Sequence, residues 1–302
     1  MSVGTVLLTG AGGLIGRQCI PSLTNLGFRV VAVSRTRRPL AGAESLAIDL
    51  LDADAVRKLC TDMRPSHLLH LAWHDGAKDR WVGAANLDWV GASLNLLRAF
   101  AGAGGQRAVM VGSCAEYDWA DSAGRPLHEA SPLRPTTLYG AAKAATGLAA
   151  LAGAGVLGLS VAWARPFFCF GPGEPEGRLF GDLIRGLAAR RPVDCTDGLQ
   201  ERDFMSTMDQ GRALAALLAS PVQGAVNIAS GQAVAVRDVI FELAAQMGQV
   251  DLVRLGSRPR PQDDPARIVA DVTRLREEVG FATHFDLAEA VSGTLKAEGV
   301  LP

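Results

Sequence analysis

Tyr139 and Lys143, in the run Tyr-Gly-Ala-Ala-Lys, carry the clearest chemical potential in the chain. At i and i+4 on a helix they share one face. A phenol near pKa 10 is a poor base at neutral pH, but a nearby ammonium favours its phenolate and lowers that value. The same lysine can hold a ribose. The only tyrosines are Tyr117 and Tyr139, and the only lysines are Lys58, Lys78, Lys143 and Lys296. Chance seldom sets one such pair at this spacing. A hydroxyl able to polarise a carbonyl lies in Gly112-Ser113-Cys114-Ala115-Glu116-Tyr117, directly after the apolar run 108–111.

A second constellation suits phosphate. Thr9-Gly10-Ala11-Gly12-Gly13-Leu14-Ile15-Gly16 follows an apolar run, and Gly10, Gly13 and Gly16 are spaced GxxGxxG. Glycines permit a tight turn and let the backbone approach a pyrophosphate at a helix N-terminus. Leu14 and Ile15 belong to the same loop. At the end of the next apolar run, a carboxylate would bind an adenosine 2′-hydroxyl and repel a 2′-phosphate. The chain instead has Ser34-Arg35-Thr36-Arg37-Arg38. A hydroxyl beside guanidinium groups suits a 2′-phosphate, so NADP(H) is favoured and NAD(H) stays possible. Asp49 and Leu50 are candidates to meet the adenine.

These residues need a scaffold that gathers them. Strands are expected over 5–9, 29–34, 67–72, 108–111 and 157–164, alternating with helices over 14–26, 54–63, 87–101 and 138–151. Such alternation means crossover units and a parallel α/β sheet of the doubly wound, Rossmann type. Ligands then bind at the carboxyl ends of the strands, where Gly10, Ser34, Ala72 and Ser113 fall. The alternation fades after about residue 170. Residues 1–170 read as the dinucleotide-binding domain. Residues 171–302 read mainly as a smaller substrate-binding cap, with helices over 178–190, 210–218, 236–247 and 287–296 and some chain returning to the first domain.

Composition limits the rest. Hydrophobic residues make up 48% of 302, and thirty basic residues face thirty-one acidic ones. That excludes disorder and argues against a nucleic-acid partner. The five cysteines form no CxxC or zinc spacing, so no metal site and no disulfide framework are expected. Free thiols suit a reducing cytoplasm. No signal peptide is read at the start of the chain. The uncharged stretch 144–164 is interrupted by Gly153, Gly155 and Gly158 and reads as helix, turn and strand rather than a membrane span.

Together the motifs resemble those of extended short-chain dehydrogenases/reductases in the NAD-dependent epimerase/dehydratase family, which act mainly on nucleotide sugars. The match includes the glycine signature, His70-Leu71-Ala72-Trp73, an altered Ser113 to Tyr117 motif, and Tyr139 with Lys143. It continues through Arg165-Pro-Phe-Phe168-Cys-Phe-Gly171-Pro172, Arg202-Asp203-Phe204 with Asp209, and Asn227-Ile-Ala-Ser230-Gly231. The resemblance implies Tyr139 as general acid/base, Lys143 as its modulator and ribose ligand, and Ser113 as the carbonyl-orienting hydroxyl. Anchoring the alignment on the strand would select Cys114 instead. It also implies Leu71 and Ala72 at the cofactor. Cys114, Glu116, Phe168, Arg202 and Arg260 would lie at the substrate, the two arginines on its diphosphate.

The departures narrow the chemistry. Ala115 and Glu116 replace the Asp-Glu pair of dehydratases, and Phe168 replaces an asparagine that often contacts substrate. The Glu-Tyr-Asp-Trp stretch and Trp73 resemble deoxysugar 4-ketoreductases and epimerases. The leading expectation is an NADP(H)-dependent reductase of a 4-keto-6-deoxy nucleotide sugar. The alternatives are a nucleotide-sugar epimerase with tightly held NAD and a non-catalytic NADP(H)-sensing protein. His70, His74 and His128 are read as structural. The apolar helices over 87–101 and 138–151 suggest a homodimer.

Overall fold

The computed structural model describes residues 3–74, 76, 79–120 and 124–301. The chain begins with β1 (Gly4–Thr9), α1 (Gly16–Asn25), β2 (Phe28–Ser34) and β3 (Glu44–Ala47). Then come α2 (Ala53–Met63), β4 (His67–His70), α3 (Ala85–Gly102), β5 (Arg107–Val111), α4 (Leu138–Gly153) and β6 (Ser160–Pro166). The cap side starts with β7 (Phe168–Phe170), α5 (Leu179–Ala188), β8 (Val193–Asp194), β9 (Glu201–Arg202) and β10 (Phe204–Ser206). It is followed by α6 (Thr207–Ala219), β11 (Gly224–Ile228), β12 (Val234–Ala235), α7 (Val236–Gln246), β13 (Val253–Arg254), β14 (Arg267–Ile268) and α8 (Leu287–Ala297).

Seven strands form one sheet in the order β11-β6-β5-β4-β1-β2-β3, and all its pairings are parallel. Successive strand residues point to opposite faces. Val6, Leu8, Leu69, Val109 and Ala162 share one core with Cys19, Ile20 and Leu23 of α1 and Leu214 and Leu217 of α6. Leu7, Leu68, Met110 and Trp163 share the other core with α2, α3 and α4. A parallel sheet must be covered on both faces, which is why its strands read as nearly continuous apolar runs. The expected Rossmann-type α/β fold is the observed one. Strand order reverses between β1 and β4, and this switch point opens the crevice where such sheets take ligands.

One feature differs from the sequence reading, and another gives bounds to the return of chain that it expected. The edge strand β3 was not expected, because none of its four residues is buried and no apolar period marks it. Residues 207–228 leave the cap: α6 packs on α1, and β11 extends the main sheet beside β6. The cap is therefore two stretches around a returning crossover. Its own core joins α5, α7 and α8 about Phe170 and Phe180. Small sheets tie the stretches together, with β9 between β12 and β14, β8 beside β13, and β7 beside β10. Among the described residues no helix is long and apolar enough to cross a membrane.

Candidate active site

The carboxyl end of β5 delivers Ser113, and the first turns of α4 deliver Tyr139 and Lys143. Thr137 fixes that start, its hydroxyl accepting the Gly140 N–H at 3.1 Å. Tyr139 N donates to Trp81 O at 3.1 Å, and the two rings meet edge-on at 5.3 Å. The Ser113 hydroxyl lies near enough to the Tyr139 phenol to favour its phenolate. Burial pushes the Tyr139 phenol up to about 12, with the Ser113 hydroxyl pulling against it. The sequence expectation was a lowered phenol. The reversal is physical, because burial outweighs every neighbouring charge. At neutral pH this phenol holds its proton.

Lys143 is 3% exposed. Its Nζ donates to Val111 O at 2.7 Å and lies 3.9 Å from the centre of the Trp73 ring. Burial brings its ammonium down to about 7, against the charge of Glu116. Trp73 is anchored by its indole N–H on Asn86 Oδ1 at 2.8 Å, and Asn86 donates to Arg80 O and Gly83 O. Arg80 and Trp81 were not expected beside Tyr139. Their signal was available: they follow β4, at the ligand-binding end of the sheet.

The glycine loop has the form expected for a pyrophosphate. Gly10 has φ +69°, and a Cβ there would come within 2.7 Å of Ala72 N, while a Cβ on Gly16 would strike Gly10 O. The β1–α1 turn thus lies against Leu71 and Ala72. Thr9 Oγ1 accepts from Ala72 N at 3.3 Å and bonds His70 Nδ1 at 2.7 Å, and His70 Nε2 bonds Ser93 Oγ at 2.9 Å. Leu14 and the Ile15 cap position are half-buried; no side chain caps α1 and no acid occupies its first turn. A Cβ at Gly12 would meet nothing within 4 Å. Uncapped N–H groups beside open space fit an anion.

At the end of β2, Ser34 Oγ donates to Thr36 O at 2.7 Å, and Arg35 and Arg38 are exposed. Asp49 accepts from Leu51 N at 3.0 Å and closes its own turn. Leu50 is a correction: its side chain is buried in the core with Val33, Val56 and Leu59 and is not presented to an adenine.

On the cap side, the Arg202 guanidinium lies 5.4 Å from the Phe168 ring. Arg202 donates to Glu201 O and Pro265 O at 2.8 Å and pairs with Asp264; Arg260 pairs with Asp197 at 3.7 Å. The two guanidiniums are near enough to repel one another. Both have acidic partners with which a diphosphate would compete. Of Ser113 and Cys114, Ser113 has the hydroxyl that favours the Tyr139 phenolate, whereas Cys114 is 6% exposed in the core and its thiol is pushed up by burial. Glu116 is a further correction. It is fully buried and bonded inward, so it does not face a substrate. A cavity of about 370 Å³ lies elsewhere, lined by Phe170, Phe204, Ser230, His284 and Phe285. Among the described residues no cluster of His, Cys, Asp and Glu could hold a metal.

The sequence profile of the NAD dependent epimerase/dehydratase family matches residues 6–229. A dTDP-4-dehydro-6-deoxy-D-allose reductase from Streptomyces bikiniensis is 28% identical, over 92% of this chain and 91% of that protein. A UDP-glucose 4-epimerase from Azospirillum brasilense is 26% identical, over 95% and 89%. The solved structure of MoeE5 in complex with UDP-glucuronic acid and NAD superposes with a TM-score of 0.83 at 31% identity, covering 97% of this chain and 98% of that one.

Proposed function

The chain belongs to the NAD dependent epimerase/dehydratase family, and from that premise we propose that it is an NADP(H)-dependent reductase of a 4-keto-6-deoxy nucleotide sugar. The observation that carries this reading is the end of β2, where Ser34 and exposed Arg35, Arg37 and Arg38 stand in place of a ribose-binding carboxylate. That end suits a 2′-phosphate, hence an exchanging NADPH and net reduction. The 28% identity to a 4-keto-6-deoxy sugar nucleotide reductase supports the substrate class.

Residues 10–16 and the α1 N-terminus would hold the pyrophosphate, with Leu71 and Ala72 alongside. Lys143 would hold the nicotinamide ribose. Arg202 and Arg260 would meet the sugar nucleotide's diphosphate, each leaving a carboxylate partner. When bound, the nicotinamide supplies the hydride. Ser113 holds the carbonyl oxygen, and Tyr139 gives that oxygen its proton as negative charge develops there. A phenol that stays protonated at neutral pH is in the right form for this step. In its ammonium form Lys143 would stabilise the phenolate left behind, alongside Arg80, whose charge already favours it.

An epimerase using retained NAD is the second reading, favoured by the UDP-glucose 4-epimerase at 26% identity. The proposal includes a homodimer through α3 and α4. It also includes a reducing cytoplasm, which suits the free Cys19, Cys60, Cys114, Cys169 and Cys195.

Cofactor oxidation with dTDP-4-keto-6-deoxyglucose, followed with NADPH and with NADH, tests the reading. NADPH should be consumed stoichiometrically and preferred, and Tyr139→Phe should lower kcat by roughly 100-fold or more. C4 inversion of a UDP-hexose without net cofactor consumption would select the epimerase. A Tyr139→Phe variant as fast as wild type would remove the assigned mechanism.

A further inference from the structure

The Glu116 carboxylate is the group near the site whose role is least explained. It is 0% exposed, and a charge at that depth is retained only when paired and hydrogen-bonded throughout. Its bonds converge on the frame of the site. Oε1 accepts the Ser113 backbone N–H at 2.7 Å. The Trp163 indole N–H lies 3.0 Å from both carboxylate oxygens, and Arg165 Nε donates to Oε2 at 2.8 Å. Arg165 also donates to Tyr117 Oη and Glu129 O, and Tyr117 Oη donates to Asn227 Oδ1 on β11 at 2.7 Å. One polar chain thus runs from Ser113 to the last strand of the main sheet.

The surroundings are cut to this carboxylate. A Cβ on Gly112 would strike Oε1, and a Cβ on Gly147, one turn beyond Lys143, would lie 2.6 Å from the Trp163 ring. The contact with Ser113 is reciprocal: Ser113 Oγ accepts from Ala115 N at 3.2 Å while Glu116 returns to Ser113 N, closing a capping box. Ser113, whose hydroxyl lies beside the Tyr139 phenol, therefore has its backbone clamped by a buried acid.

We propose that Glu116 is a positioning residue, which holds the Ser113 N–H and so fixes the Ser113 hydroxyl against Tyr139. The inference rests on the carbonyl-orienting role given to Ser113 above. Two substitutions separate reach from charge. Glu116→Gln keeps an acceptor at the same reach and loses the charge facing Arg165. Glu116→Asp keeps that charge and withdraws it from Ser113 N.

The experiment measures kcat and KM for NADPH-driven reduction of dTDP-4-keto-6-deoxyglucose, together with the NADPH Kd by fluorescence quenching. Both substitutions are made in wild-type and Ser113→Ala backgrounds. Glu116→Asp should lower kcat by about 10- to 100-fold, the cost of a misplacement near 1 Å. The NADPH Kd should stay within about twofold, and the Ser113→Ala background should show no further loss, since coupled residues are not additive. Glu116→Gln should keep kcat within about threefold of wild type. The inference is overturned if Glu116→Gln is the more damaging change, or if the loss from Glu116→Asp multiplies with that from Ser113→Ala. A Ser113→Ala enzyme with wild-type kcat would instead remove the role of Ser113 itself.

Discussion

His70 is a titratable residue in the ligand-binding crevice that serves the frame. Its two nitrogens span Thr9 and Ser93, and burial, with the nearby Lys143 charge, brings its imidazole down to about 3. Unfolded, it would take up a proton near pH 6.5. The folded chain refuses that proton, so stability is full above pH 6.5 and declines as pH falls toward 3. From pH 7.5 to 5 this costs about 2 kcal/mol. Urea midpoints at the two pH values should therefore fall less for His70→Asn than for wild type, and equal declines would contradict the assignment. Residue placement was legible where a period or a strand end fixed direction, as for Tyr139, Lys143 and Ser113. It failed for Glu116, because adjacency to Ser113 does not say which way a side chain points. The capping box turned it inward, and no spacing records that.

Elements were legible where their burial is periodic. The helices that pack on the main sheet announce themselves by apolar stripes, and β1, β2 and β5 by apolar runs. The return of the chain through α6 and β11 was not delimited, because β11 is five residues long, carries Asn227, and follows cap segments of irregular pattern. Beside strand pairing and helix packing, one residue of β5 helps hold that return. Arg107 is 6% exposed; its Nη2 donates to Leu217 O at 2.8 Å and Val222 O at 2.6 Å, and its Nε to Leu218 O at 3.4 Å. A cation at these carbonyls satisfies the end of α6 and complements its dipole. Burial still brings the guanidinium down to about 10. Arg107→Met would leave the carbonyls unpaired and should cost about 3 kcal/mol. Urea unfolding checks this, and a loss under about 1 kcal/mol would contradict it. Because the contacts lie at the amino end of the sheet, kcat should not change.

At the scale of the whole molecule, one face lacks the polar cover that water demands. On α4 the solvent-facing residues are Ala141, Ala145, Leu148, Ala149 and Ala152, an apolar stripe at helical spacing. The helix has only one charge, Lys143, and that is turned inward. Beside it α3 exposes Leu87 and Gly91 together with the polar Asp88, Asn95 and Arg98, and Leu87 and Leu148 are 60% and 62% exposed. Small residues let helices approach closely, and an apolar stripe such as that on α4, flanked by polar residues of α3, marks an interaction surface. A second copy of this chain can present the same stripe across a twofold axis, giving a self-complementary contact. Sedimentation equilibrium should therefore give twice the chain mass of 31.6 kDa. Leu148→Glu would place two like charges close to the axis with no partner, and should yield monomer with its fold intact by circular dichroism. The stripe lies on helices of the sheet face opposite α1, which follows the dinucleotide loop, so the monomer should still quench on NADPH addition. A wild-type chain that sediments only as monomer would leave the stripe without its partner.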